Sequence, residues 1–186
     1  MTVSRSGTIS VRNVLYTVPS RLVGCRVKVH IYDDRLVCYL GTTPVLTVAR
    51  RYFKRNGPRQ RVVDYRHLIG ALIRKPQAFR HSVFRDELFP SAIFRRTWET
   101  LDQRLDPQKA CRVYVGLLHL AAMQGCEAVL ADHLAAVLDA GGTPDLEAAR
   151  TAVAPPIITA PAVMVMAPDL AAYDELLRMP TLGDAA

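Results

Sequence analysis

Arg26-Val27-Lys28-Val29-His30-Ile31-Tyr32 alternates strictly between polar and apolar residues. A period of two is the pattern of a strand. It puts Val27, Val29 and Ile31 on one face and Arg26, Lys28 and His30 on the other. Asp33-Asp34 reads as a turn, and Arg35-Leu36-Val37-Cys38-Tyr39-Leu40 returns as the next strand. Upstream, Val11, Val14 and Tyr16 lie in a β-rich run that stops at Pro19. Downstream, Gly41 punctuates the chain, and Val45 to Ala49 follow Pro44 as a third strand. Val62-Val63-Asp64-Tyr65 reads as a last short strand or an extended entry. The spacing changes there. Tyr65, Leu68, Ile69, Leu72 and Ile73 recur as one face of a helix, which Pro76 ends.

Beyond that point the apolar residues keep helical spacing. Phe94, Trp98, Leu101 and Leu105 form one stripe. Asp106-Pro107 supplies an N-cap with proline in the first helical position. Ala110, Val113, Tyr114, Leu117, Leu118 and Ala121 follow, closed by Gly125. Leu130, Leu134, Val137 and Leu138 form a third stripe before Gly141-Gly142. Thr143-Pro144 reads as the start of a short helix carrying Leu146, Ala149 and Val153. Helices with such short connections pack as antiparallel neighbours. The predicted fold is α+β: a small antiparallel β-barrel or SH3-like domain, then a helical domain, then an extended tail. The predicted divisions are an N-terminal extension (1–13), a basic β-barrel domain (14–64), a helical domain (65–153), a Pro-rich linker (154–168) and a short amphipathic tail helix (169–179).

The chain has 186 residues, half of them hydrophobic, enough for a packed core and too apolar for global disorder. No run of eighteen apolar residues could cross a bilayer. Met1 to Tyr16 has no signal-peptide core. Cys25, Cys38, Cys111 and Cys126 form no CxxC pair, so four reduced thiols in a cytosolic protein are expected, with no metal site. The net charge of +7 conceals a division. Residues 1–85 carry 17 Lys and Arg against three acids, or +14; residues 86–186 carry 7 against 14, or −7. A basic half prefers polyanions, either nucleic acid or an anionic membrane surface. No GxxxxGK phosphate loop is present, so nucleotide hydrolysis is not expected of this chain.

Several segments resemble the C-terminal region of IstA-type transposases of the insertion-sequence-twenty-one family. They include Val18-Pro19-Ser20-Arg21-Leu22-Val23-Gly24, Val27-Lys28-Val29 with Tyr32-Asp33-Asp34-Arg35-Leu36, and Val63-Asp64-Tyr65-Arg66-His67. Arg74-Lys75-Pro76-Gln77-Ala78, Arg85-Asp86-Glu87-Leu88-Phe89-Pro90 and Ala110-Cys111-Arg112 with Val115-Gly116-Leu117-Leu118 continue the likeness. It ends in Asp169-Leu170-Ala171-Ala172-Tyr173-Asp174-Glu175-Leu176-Leu177, so it runs from about Val14 to Leu177. The family resembles phage Mu transposase in organisation: a helix-turn-helix region, an RNase H-like catalytic domain, a β-barrel and a C-terminal extension. It acts with an IstB-type ATPase. The resemblance implies that this chain begins near the β-barrel, as a truncated transposase or an inactive remnant reading frame.

Strand transfer in that family needs three separated carboxylates holding two metals. Asp33 and Asp34 are adjacent in a turn, and Asp64 is the only other acid before Asp86, so no catalytic or metal role and no cofactor is expected. The expected DNA contacts are Arg21, Arg26, Lys28, Arg50, Arg51, Lys54, Arg55, Arg59, Arg61, Arg66, His67, Arg74 and Lys75. Lys and Arg neutralise phosphates without reading sequence. The densest group lies between Arg50 and Arg61, where Tyr52 and Phe53 are expected to pack beneath the barrel. Leu170, Tyr173, Leu176 and Leu177 share one side of the tail segment, and the resemblance makes the ATPase their expected partner. The predicted partners are thus double-stranded DNA, an IstB-type ATPase and, in the full transposase, further copies of it, with no membrane. The predicted setting is the bacterial cytoplasm, on the nucleoid. Two other readings stand beside this one: a protein-interaction adaptor whose basic half meets an acidic partner, and a free-standing nuclease.

Overall fold

The computed structural model describes residues 1–53 and 60–154. Met1–Ala154 form one compact unit. The expected linker and tail helix, and Lys54, Arg55 and Arg59, lie outside the described residues.

The first hairpin joins β1 (Thr8–Val11) to β2 (Val14–Thr17) in register Ile9 to Tyr16 and Val11 to Val14. Its two turn residues, Arg12 and Asn13, both have positive φ, 49° and 63°. Two consecutive left-handed residues match the twist of the strands they join. Residues 1–13, expected as an extension, therefore contribute a strand, and Val3, Ile9 and Val11 are buried. The turn contains no glycine, which removed its usual sequence signal.

β3 (Lys28–Ile31), β4 (Arg35–Leu40) and β5 (Thr43–Ala49) form an antiparallel meander with a register shift at Cys38/Tyr39. The last strand, β6 (Arg61–Val62), pairs in parallel with β2. The expected α+β architecture is present, but the barrel is not closed: the described strands form two separate three-stranded sheets. β2 spends its second edge on β6, and residues 19–25 hold a 3-10 turn (Ser20–Leu22) instead of continuing the ladder. One bridge, Thr2 to Arg26, links the region of β3 to the N-terminal segment. Both sheets nevertheless share one core of Ile9, Val11, Val14, Tyr16, Leu36 and Cys38 with their neighbours.

β6 runs directly into α1 (Tyr65–Arg74), whose N-cap Asp64 accepts from the Arg66 N–H at 2.9 Å. Gly7 approaches this helix closely: a Cβ there would lie 3.2 Å from Leu68 Cδ2, and its φ of +67° disfavours any other residue. Two 3-10 turns, Pro76–Phe79 and Arg85–Glu87, lead to α2 (Ala92–Arg104), α3 (Pro107–Gln124), α4 (Glu127–Asp139) and α5 (Leu146–Val153). α3 is the central element and packs against α1, α2, α4 and α5. Its Ala110, Tyr114, Val115, Leu117, Leu118 and Ala121 have no exposed surface, because a helix with neighbours all round buries most of its faces. Asp106 and Gly125 cap it, as their positions predict. α5 differs from expectation at its start. Asp145, not Thr143, is the N-cap, accepting from Glu147 N and Ala148 N, while Thr143 Oγ1 binds Arg104.

Candidate nucleic-acid interface

The pleat of β3 decides which side chains it offers. Lys28 stands opposite Tyr39 and His30 opposite Val37, whereas Val29 opposes Cys38 and Ile31 opposes Leu36. Leu36 and Cys38 are fully buried, so Lys28, His30 and Tyr39 occupy the outer face. The His30 and Tyr39 rings lie 4.7 Å apart there. The expected apolar face of this strand loses its cover toward the tip, with Val29 partly buried against the core. Val27 is covered, but Ile31 is 41% exposed, because β3 is an edge strand whose tip runs past the core.

At that tip the hairpin meets the start of the basic segment. The Arg50 N–H donates to Asp34 O at 2.8 Å, and the Arg50 guanidinium donates to Tyr32 O at 2.9 Å and lies 4.4 Å over the Tyr52 ring. Tyr52 Oη donates to Asp33 O at 2.7 Å. Buried Tyr16 clasps the next residue, accepting from Arg51 N at 2.9 Å and donating to Arg51 O at 3.2 Å. The expectation that Tyr52 and Phe53 pack beneath the β-domain does not hold: they are 59% and 42% exposed. Backbone acceptors at the hairpin tip hold Arg50 and Tyr52 outward, which leaves an exposed surface of cations and aromatic rings.

The remaining candidates divide by their partners. Arg21, Arg26, Lys28 and Arg51 are exposed, and among the described residues their side chains make no ion pair or hydrogen bond. Arg61 and Arg66 are engaged internally. Arg61 donates to Val83 O at 3.1 Å and lies 3.6 Å from Glu87. Arg66 and the Tyr65 hydroxyl both bind Glu127. Arg80 pairs with Asp102 at 2.6 Å. Each of these pairs joins a cation of the basic half to an acid of the acidic half, so part of the sequence's charge division is neutralised by folding. Asp33 and Asp34 stay on the hairpin tip, with Asp34 paired to Arg35 at 3.0 Å. Among the described residues no cluster of three His, Cys, Asp or Glu could hold a metal.

His67 is also turned inward, its side chain only 12% exposed. Its Nδ1 lies 3.1 Å from the Oγ1 of buried Thr17, which accepts from Asp64 N at 2.9 Å. This latch ties β2 to the first turn of α1. Burial lowers the His67 pKa from its ordinary 6.5, and Asp64 opposes only part of that shift. A histidine kept neutral in the fold contributes stability that is fully present above 6.5 and is lost as pH falls from there through its lowered folded value. The melting temperature should therefore decline on acidification from pH about 7.5 to about 5, and less so in His67→Gln. Equal declines in the two proteins would show that His67 is not the group responsible.

Residues 1–64 match the family model of the Mu transposase C-terminal domain. The matched span includes both sheets and ends on Asp64, the residue that caps α1. The β-region is thus similar to the C-terminal domain of Mu transposase. An uncharacterized protein of Sinorhizobium fredii (strain NBRC 101917 / NGR234), y4jA/y4nE/y4sE, is 42% identical over 186 residues, which is 100% of this chain and 37% of the relative. The chain thus spans just over a third of the curated relative it matches. No solved structure matches. No described helix is long and apolar enough to cross a membrane.

Proposed function

We propose that this chain is the DNA-binding and assembly part of an insertion-sequence transposase of the IstA type. It contacts duplex DNA through the outer face of the meander and the hairpin tip. The observation that carries this reading is the set of exposed cations, Arg21, Arg26, Lys28 and Arg51, which have no ion-pair partner among the described residues, in a β-region that matches a transposase C-terminal domain. Arg50 adds to that surface at the hairpin tip, and Lys54, Arg55 and Arg59, which lie outside the described residues, are further DNA contacts proposed from the sequence alone. Contacts of this kind go to phosphate and carry no sequence information, so affinity should be similar for arbitrary duplexes. Binding of an arbitrary duplex that weakens linearly with the logarithm of salt concentration supports the reading. Absent or salt-insensitive binding overturns it and favours the adaptor alternative.

The tail gives the second half of the proposal. Leu170, Tyr173, Leu176 and Leu177 recur at helical spacing in a segment too short to hold a helix alone in water. An apolar groove on an IstB-type ATPase is the proposed surface. Deleting residues 169–186 should leave DNA binding and melting temperature unchanged and abolish co-purification with a cognate IstB-type ATPase. Undiminished ATPase association would remove this part of the reading.

A further inference from the structure

The end of α1, the following 3-10 turn and the first turns of α3 enclose a cleft of about 220 Å³. Its lining is Arg74, Lys75, Pro76, Gln77, Gln108 and Arg112. Every charged residue in it is a cation, and among the described residues none of the three is in an ion pair. The neighbouring Arg80, by contrast, is neutralised by Asp102.

Two of the three cations have an ordinary local reason. Arg74 and Lys75 close α1, where positive charge complements the helix dipole, and Arg74 Nε also donates to Gly70 O at 3.2 Å. Arg112 has no such reason. It sits in the second turn of α3, away from a helix C-terminus, and the carboxylate of the N-cap Asp106 is taken by Gln108 N. Folding thus brings a third unneutralised cation, from the acidic half of the sequence, onto the cations that end α1. Like charges gathered in this way favour an anion among them. Gln77 and Gln108 add amide groups, and guanidinium, ammonium and amide N–H donors together match the oxygens of a phosphate.

We infer that this cleft holds a phosphodiester of the DNA backbone, with Arg112 as a contact residue. The inference rests on the DNA-binding reading above. The cleft is smaller than an ordinary small-molecule site, and its three cations remain exposed, which suits a polymer crossing the surface better than an enclosed nucleotide.

The test uses the whole chain and a fluorescently labelled arbitrary duplex, with anisotropy measured across a salt series. Arg112→Ala should make the slope of log affinity against log salt shallower by about 0.9, with affinity about eightfold weaker at 0.1 M salt. Lys109→Ala is the matched control: it removes the same charge from an exposed site on the same helix outside the cleft, and should leave slope and affinity nearly unchanged. Arg112→Lys should recover part of the affinity. Alanine is a good helix former, so an unchanged melting temperature would confirm that the variant folds. If the native chain binds DNA and Arg112→Ala has the slope of the native chain, or Lys109→Ala falls as far, this inference fails and the DNA-binding reading survives. If the native chain does not bind DNA, both fail. If pyrophosphate raises the melting temperature of the native chain but not of Arg112→Ala, while the DNA slope is unchanged, the cleft is a small-phosphate site and the assignment to DNA is overturned.

Discussion

Replacing Phe79 with alanine should destabilise the protein by about 3–5 kcal/mol. Phe79 has no exposed surface and stands in an aromatic cluster, with ring centroids 4.9 Å from Trp98, 4.8 Å from Tyr114 and 5.9 Å from Phe89. It comes from a 3-10 turn, while Trp98 and Tyr114 come from α2 and α3, so one side chain joins three elements. Alanine removes its apolar burial and leaves a cavity between helices that cannot close without shifting α3. The edge-to-face packing against Trp98 adds to the effect. For a folded unit of 154 residues this corresponds to a fall in melting temperature of about 6–20 °C. A fall of less than about 3 °C would mean that the turn before α2 is only loosely attached.

The second large effect concerns DNA. Replacing Arg21, Arg26, Lys28 and Arg51 together with alanine should make the salt slope shallower by up to about 3.6, at about 0.9 for each phosphate no longer neutralised. If the electrostatic contribution vanishes near 1 M salt, that slope implies an affinity up to about 4,000-fold weaker at 0.1 M. None of these four side chains has a described internal partner, so the fold should persist. Arg50 stays in place because its guanidinium holds the hairpin tip through Tyr32 O, and its removal would confuse structure with binding. The weakening should be similar for duplexes of unrelated sequence, as expected when the protein grips the DNA backbone. Unchanged affinity and slope would reduce this surface to a solvated basic face.

Local patterning made much of this legible before any fold was known. Alternation over residues 26–40 identified the β3–β4 hairpin, and the change of spacing at Tyr65 marked the start of α1. Asp106-Pro107 and Gly125 marked the limits of α3, since caps act within one turn of chain. β1 was missed because its turn uses Arg12 and Asn13 at positive φ without a glycine. The open pair of sheets was missed because ladder closure depends on which strand reaches a free edge. β6, far along the chain, reaches the edge of β2.

The same distinction runs through the candidate site. Sequence alone determined that the first half is strongly basic and that most of it is built of strands, because charge and periodicity are properties of residues in order. Only the tertiary structure decided which cations remain available. Arg61 and Arg66 find acids of the other half, His67 is drawn into a latch with Thr17, and Arg112 joins Arg74 and Lys75 in one cleft. Each of these outcomes depends on residues far apart in the chain becoming neighbours, and ion pairing and desolvation act over distances in space that residue order does not encode.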